Sequence, residues 1–213
     1  MDLKINEIFY SIQGESTYVG VPCIFIRLSG CNLRCTFCDT TYAYDEGKMM
    51  SVDEVMDKVE SYHTRLVEIT GGEPLLQDGV YILIHELIER DYTVLLETNG
   101  SITLSKVNGK VIKIMDLKCP SSGMSHKMDF SNIHYINKKD QVKFVIGDRG
   151  DYNWAKEIIN RYNLLEITQV LMSPVHQTLE PNILARWILD DRLPVRFQIQ
   201  LHKYIWEPNK PGI

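Results

Sequence analysis

The chain has 213 residues, 44% hydrophobic and 24% charged, which is the composition of a globular protein able to bury one full core. Its net charge of −5 and the lack of any basic run argue against a broad nucleic-acid footprint. No apolar run approaches the roughly 18–20 residues that span a bilayer. The opening MDLKINEIFYSIQGES lacks the apolar core of a signal peptide, so a cytoplasmic location with reduced thiols is expected.

No repeat or long linker divides residues 1–213, which are expected to form a single domain. Pro22–Leu28 (PCIFIRL) reads as a strand rich in β-branched and aromatic residues. Ser51 and Glu54 form a capping-box pattern ahead of a helical stripe of Val52, Val55, Met56 and Val59. Leu66–Thr70 is the next strand, and after a Gly-Gly-Glu-Pro turn a helix is predicted over Val80–Arg90. Further strands are predicted at Thr93–Glu97, Val111–Asp116, Val142–Ile146, Val170–Met172 and Val195–Gln200, with helices at Tyr152–Tyr162 and Asn182–Asp190. Short buried strands alternating with helices imply an α/β fold built on a parallel sheet with right-handed crossovers. A closed eightfold barrel usually needs ~250 residues. An incomplete, partial TIM-type barrel of parallel strands with crossover helices suits this chain better. The chemistry is then expected on loops at the carboxyl ends of the strands.

One such loop is Cys31-Asn-Leu-Arg-Cys35-Thr-Phe-Cys38-Asp39, a C-x3-C-x2-C pattern. Three cysteines so crowded in a reducing compartment do not suggest disulfides. Thiolates are the usual protein ligands of iron–sulfur clusters. A four-iron cluster takes four ligands, and this loop offers three. Cys23 lies inside a strand and Cys119 precedes a proline far along the chain, so neither is a good fourth. Three ligands would leave one iron open to a substrate or cofactor. Zinc held with a histidine is the alternative, but no histidine stands near the loop in sequence.

The spacing, with Phe37 just before the last cysteine, resembles the radical S-adenosylmethionine superfamily. The resemblance implies that S-adenosylmethionine chelates the open iron of a 4Fe–4S cluster through its amino and carboxylate groups. Reductive cleavage then yields a 5′-deoxyadenosyl radical. No side chain is expected to act as the catalyst, since the radical comes from bound cofactor. Thr36, Phe37 and Asp39 of the loop are implied as cofactor contacts. Gly71-Gly72-Glu73, by itself a tight turn, resembles the GGE motif of the family, where Gly72 and Glu73 meet the cofactor's amino group. Glu97 or Asn99, one strand further, is placed to reach the ribose, and Ser121 in the following loop to meet the carboxylate. Plain turn chemistry is the competing reading for both.

Three more segments narrow the resemblance: Glu7–Ser16 (EIFYSIQGES), Arg27 in the strand before the cysteines, and Val195–Trp206 with its QLHKYIW. With Asp39-Thr40, they closely resemble the 7-carboxy-7-deazaguanine synthase (QueE) family from Ile8 to Trp206. That resemblance implies a Mg²⁺-dependent ring contraction of 6-carboxy-5,6,7,8-tetrahydropterin with loss of ammonia, a step toward queuosine and related 7-deazapurines. It implies Thr40 as the Mg²⁺ ligand and Ile12, Gln13, Gly14, Glu15, Arg27, Thr70 and His202 around the substrate. Arg27 offers a planar fork suited to a carboxylate. A homodimer and a flavodoxin or ferredoxin electron donor are also implied. The competing classes are a glycyl-radical enzyme activating enzyme and an iron–sulfur electron-transfer protein without catalysis. The latter needs neither GGE nor a polar pocket. Whether residues 207–213 reach the substrate is left open.

Overall fold

The computed structural model describes residues 1–207 and Gly212. Nine strands form one sheet: β1 (Asp2–Ile12), β2 (Pro22–Leu28), β3 (Lys48–Ser51), β4 (Leu66–Gly71), β5 (Thr93–Thr98), β6 (Ile112–Asp116), β7 (Gln141–Ile146), β8 (Gln169–Pro174) and β9 (Arg196–Phe197). Their spatial order is β3-β1-β2-β4-β5-β6-β7-β8-β9, so the sheet curls but ends in two edges among the described residues. From β2 onward through β4 to β9 every neighbouring pair is parallel. This is the incomplete barrel expected from the alternating pattern.

The N-terminal end departs from that expectation. β1 and β3 add an antiparallel flap beside β2, with β1 pairing both. The last strand is also shorter than Val195–Gln200, since only Arg196 and Phe197 pair with β8. The residues after it are drawn into the site instead.

Alternation along each strand divides the side chains between two faces. One face sends Ile24, Ile26, Leu28, Val67, Ile69, Val94 and Leu96 against the helices. These are α1 (Val52–Glu60), α2 (Gly79–Glu89), α3 (Arg149–Arg161), α4 (Leu164–Ile167), α5 (Pro181–Asp190) and α6 (His202–Ile205). Each fully buried Leu, Ile or Val on this face contributes about 1.5–3 kcal/mol. The concave face has its own apolar base of Phe9, Cys23, Phe25, Leu66, Leu95 and Ile114. Phe9 and Phe25 stack there with centroids 5.0 Å apart. Above this base, toward the carboxyl ends, the same face turns polar.

The predicted capping box is formed: Ser51 accepts from the Glu54 backbone N–H while the Glu54 carboxylate accepts from Ser51. Ser51→Ala is expected to cost about 1 kcal/mol, read as a lower urea midpoint at unchanged slope. Asp148 similarly caps α3 through the Asp151 N–H, which starts that helix earlier than Tyr152. Among the described residues no helix is long and apolar enough to cross a membrane.

Candidate active site

The carboxyl ends of the parallel strands open on one cavity of about 430 Å³. β2 leads through Ser29-Gly30 into the cysteine loop, which is pinned from several sides. Gly30 N–H donates to Ala43 O at 2.8 Å and Thr36 N–H to Ser122 O at 3.1 Å. The Arg34 guanidinium donates to the carbonyls of Cys31 (2.8 Å) and Leu33 (2.7 Å) and lies over the Tyr44 ring. Leu33 is buried as an apolar anchor. Cys31, Cys35 and Cys38 are free thiols, half-buried, and all three line the cavity.

Among the described residues no three His, Cys, Asp or Glu side chains gather around a single-ion position. The thiols share a cavity wall instead. Burial pushes the Cys35 thiol up to about 11 and raises Cys31 as well, so thiolates there need positive charge close by. Iron supplies such charge, and a three-thiol wall beside an open cavity fits a cluster that keeps one iron for a ligand.

The Gly-Gly-Glu turn braces this loop. Gly71 has φ +138°, and a Cβ there would stand 2.2 Å from Leu28 O; a Cβ on Gly72 would stand 2.0 Å from Gly30 O. Only glycine lets the two backbones pass so closely. Glu73 N–H donates to Gly30 O at 2.8 Å. The Glu73 carboxylate is fully buried, taking the Thr98 hydroxyl at 2.9 Å, Asn99 N–H at 2.7 Å and Leu75 N–H at 3.1 Å. It therefore faces the protein and not the cavity.

Two other expected cofactor contacts also stand outside the cavity wall. The Thr36 hydroxyl donates to Ser121 O at 2.8 Å, and the Ser121 hydroxyl is bound to Asp151. Every other residue singled out in the sequence lines the cavity: Phe37, Asp39, Thr40, Gly72 and Glu97, with Ile12, Gln13, Gly14, Glu15, Arg27, Thr70 and His202. These come from segments distant in sequence, and the sheet brings them together.

The polar part of the concave face is built strand by strand. Arg27 on β2 pairs in register with Thr70 on β4, and Asp116 on β6 with Lys143 on β7. Arg27 Nε donates to Glu7 Oε1 at 2.7 Å, and Tyr42 donates to the same oxygen at 3.0 Å. Arg27 also lines the cavity. Lys143, Asp116, Lys118 and Glu68 also line it, and sequence reading passed over all four. Glu68, Asp116 and Lys143 are charged residues on otherwise apolar parallel strands, and Lys118 follows two residues after β6. Burial holds the Glu68 carboxyl well above the usual range, reinforced by Glu97. Burial works to raise Glu15 too, but the Lys143 ammonium, His202 and the hydrogen bonds from Lys143 and Gln200 together outweigh it and lower Glu15 to about 2. Asp116 Oδ1 is buried with no hydrogen-bond partner among the described residues.

The C-terminal segment covers one side. Leu201 N–H donates to Gly14 O at 2.9 Å, and a Cβ on Gly14 would stand 2.1 Å from His202 Nδ1. Gln200 Nε2 donates to Glu15 Oε1 at 2.9 Å. Lys203 pairs with Asp39, whose other oxygen accepts from the Thr40 hydroxyl at 3.0 Å. Burial lowers the pKa of His202, which favours the neutral ring. Of the tail, Pro208 to Pro211 and Ile213 lie outside the described residues.

The model of the Radical SAM superfamily matches residues 25–181. A 7-carboxy-7-deazaguanine synthase of Chlorobaculum tepidum is 46% identical over 99% of this chain and 97% of its own. That of Clostridium acetobutylicum is 39% identical over 100% of both chains. The crystal structure of QueE from Escherichia coli superposes with TM-score 0.80 over 95% of each chain, at 21% identity, a likeness of fold. Full-length identity to named synthases, on a fold whose cavity is walled by the three-cysteine loop, leaves one conclusion: the chain belongs to the 7-carboxy-7-deazaguanine synthase family of radical S-adenosylmethionine enzymes.

Proposed function

We propose that this enzyme converts 6-carboxy-5,6,7,8-tetrahydropterin to 7-carboxy-7-deazaguanine and ammonia, with Mg²⁺ bound at Thr40. Family membership brings the 4Fe–4S cluster and S-adenosylmethionine, and sets aside the glycyl-radical activating and purely electron-transferring readings. The observation that carries the reading is the single cavity in which the cysteine wall faces a concave sheet of mixed acids and bases.

When bound, the cluster and S-adenosylmethionine supply a 5′-deoxyadenosyl radical that removes hydrogen from the pterin and later returns it. The protein holds the reactants and excludes water. Cys31, Cys35 and Cys38 hold the cluster. Phe37, Asp39, the Gly72 backbone and Glu97 are the cavity residues on the S-adenosylmethionine side. Arg27, its Nε spent on Glu7, presents its remaining N–H groups to the pterin carboxylate. Glu15 accepts from the ring N–H edge, and Gln13, Ile12 and Gly14 lie along the same edge. Thr70 and His202 complete the substrate wall, with His202 seated on Gly14. Loss of ammonia from the pterin needs no net oxidant, so one electron from a flavodoxin or ferredoxin serves many turnovers. We place the enzyme in the cytoplasm, as a homodimer, on the route to queuosine or another 7-deazapurine.

Anaerobic protein with reconstituted cluster, reductant, S-adenosylmethionine, Mg²⁺ and 6-carboxytetrahydropterin tests this by mass spectrometry. A product lighter by one ammonia supports the reading. Release of 5′-deoxyadenosine with the pterin intact would keep the radical class and remove the substrate. Arg27→Ala is expected to raise the pterin KM roughly 10–100-fold, the range for charged hydrogen bonds of about 1.5–3 kcal/mol. An unchanged KM would take Arg27 out of the substrate site.

A further inference from the structure

Lys143 rises from the middle of β7 into the acidic side of the cavity, with a side chain only 4% exposed. Its ammonium meets three carboxylates from three separate elements. Glu15 Oε2, on the loop after β1, is 2.8 Å away. Glu97 on β5 is bonded to it directly, and Asp116 Oδ2 on β6 is at 3.2 Å. An ammonium has three N–H donors and no acceptor. Two of them are donated to Glu15 and Glu97, and the Asp116 carboxylate adds an ion pair, so most of the ammonium's capacity is spent on these acids. Asp116 lines the cavity, and its buried Oδ1 has no hydrogen-bond partner among the described residues. Asp116 Oδ2 also takes Lys118 Nζ at 2.9 Å, so this corner is held by two cations. Glu68, on β4, has no ion pair among the described residues; it accepts from Gln13 and lines the same cavity.

We propose that Lys143 is a positioning residue that fixes Glu15 as an ionised acceptor for the N–H edge of the substrate by tying it to Asp116 and to Glu97 on the S-adenosylmethionine side, without touching the substrate itself. Without the cation, three acids of like charge share a poorly solvated corner. They then separate, or take up protons and turn from acceptors into donors. Either change spoils recognition of an N–H-rich heterocycle. The groups that face this cluster are Glu15, Glu97, Asp116, Glu68, Lys118 and, across Glu15, His202. The naming of the substrate edge rests on the pterin reading; the ion cluster does not.

The test uses cluster-loaded enzyme carrying Lys143→Met, alone and combined with Asp116→Asn, which removes one negative charge but keeps a carbonyl acceptor. Lys143→Met is expected to raise the KM for 6-carboxytetrahydropterin roughly 30-fold, more than it lowers kcat. The double variant is expected to recover about tenfold of that loss. A double variant as weak as Lys143→Met would overturn the proposal in favour of direct donation to substrate. So would a folded Lys143→Met with wild-type KM. Carboxyl ¹³C NMR of the wild-type protein decides the matter if Lys143→Met fails to fold or the pterin is not turned over. Glu15 should stay ionised well below the ordinary glutamate value of about 4.3. Titration at that ordinary value would overturn the ion cluster, whereas failure of the pterin alone would overturn only the substrate reading.

Discussion

Replacing any one of Cys31, Cys35 and Cys38 with Ala is expected to abolish cluster retention and to lower S-adenosylmethionine cleavage at least about a thousandfold, a barrier increase of roughly 4 kcal/mol. The three thiols are half-buried on one cavity wall, and the loop between them is fixed by Arg34, Leu33 and the Thr36–Ser122 contact. A lost thiolate cannot be replaced from nearby. Cys23 is fully buried in the apolar base of the sheet, and Cys119 is buried among the side chains of the helix-facing core. Cys23→Ala and Cys119→Ala are accordingly expected to load iron normally and to cost only about 1 kcal/mol of stability. Bound iron per chain and 5′-deoxyadenosine by chromatography separate the two groups. Normal loading in Cys35→Ala would remove the three-thiol cluster from this loop.

Glu73→Ala is expected to destabilise the protein by about 3–5 kcal/mol, because three buried donors lose their acceptor together. Those donors are the Thr98 hydroxyl and the N–H groups of Asn99 and Leu75. The carboxylate thus ties the turn after β4 to the end of β5, and the Glu73 N–H ties the same turn to Gly30, one residue before Cys31. Glu73→Gln keeps an acceptor and should cost less than half as much. Urea unfolding of the protein without cofactor reads the effect. A wild-type midpoint for Glu73→Ala would return this residue to a role felt only when ligand is bound.

The parallel strands were legible because burial on both faces leaves nearly continuous apolar runs, broken only by Arg27 in Pro22–Leu28 and by Glu68 and Thr70 in Leu66–Gly71. β1 was not, because its sequence mixes Lys, Asn and Glu among apolar residues, and its pairing with β2 shifts register between Ile5 and Glu7. β3 is only four residues long and exposed or half-exposed throughout. The cysteine loop could be read from spacing alone, since its ligands are neighbours in sequence. The acid–base floor could not. Lys113 and Lys143 look alike in VIKIMD and VKFVI, yet one pairs at 3.0 Å with buried Asp140 on the helix side while the other enters the cavity. One residue of register separates a structural ion pair from a pocket residue, and only the folded sheet fixes that register.

The contacts that cover the cavity join the two ends of the chain: Gln200 to Glu15 across 185 positions, Lys203 to Asp39 across 164. During synthesis at about 5–20 residues per second, the cysteine loop leaves the ribosome roughly 10–30 s before Lys203 does. The cover is therefore the last part of the site to be made. Until then the thiols and the acid floor face solvent together, which gives iron and sulfide an unobstructed approach and oxygen the same one. A chain cut before Gln200 keeps every cysteine and most of the sheet, but its pocket stays in that unfinished state.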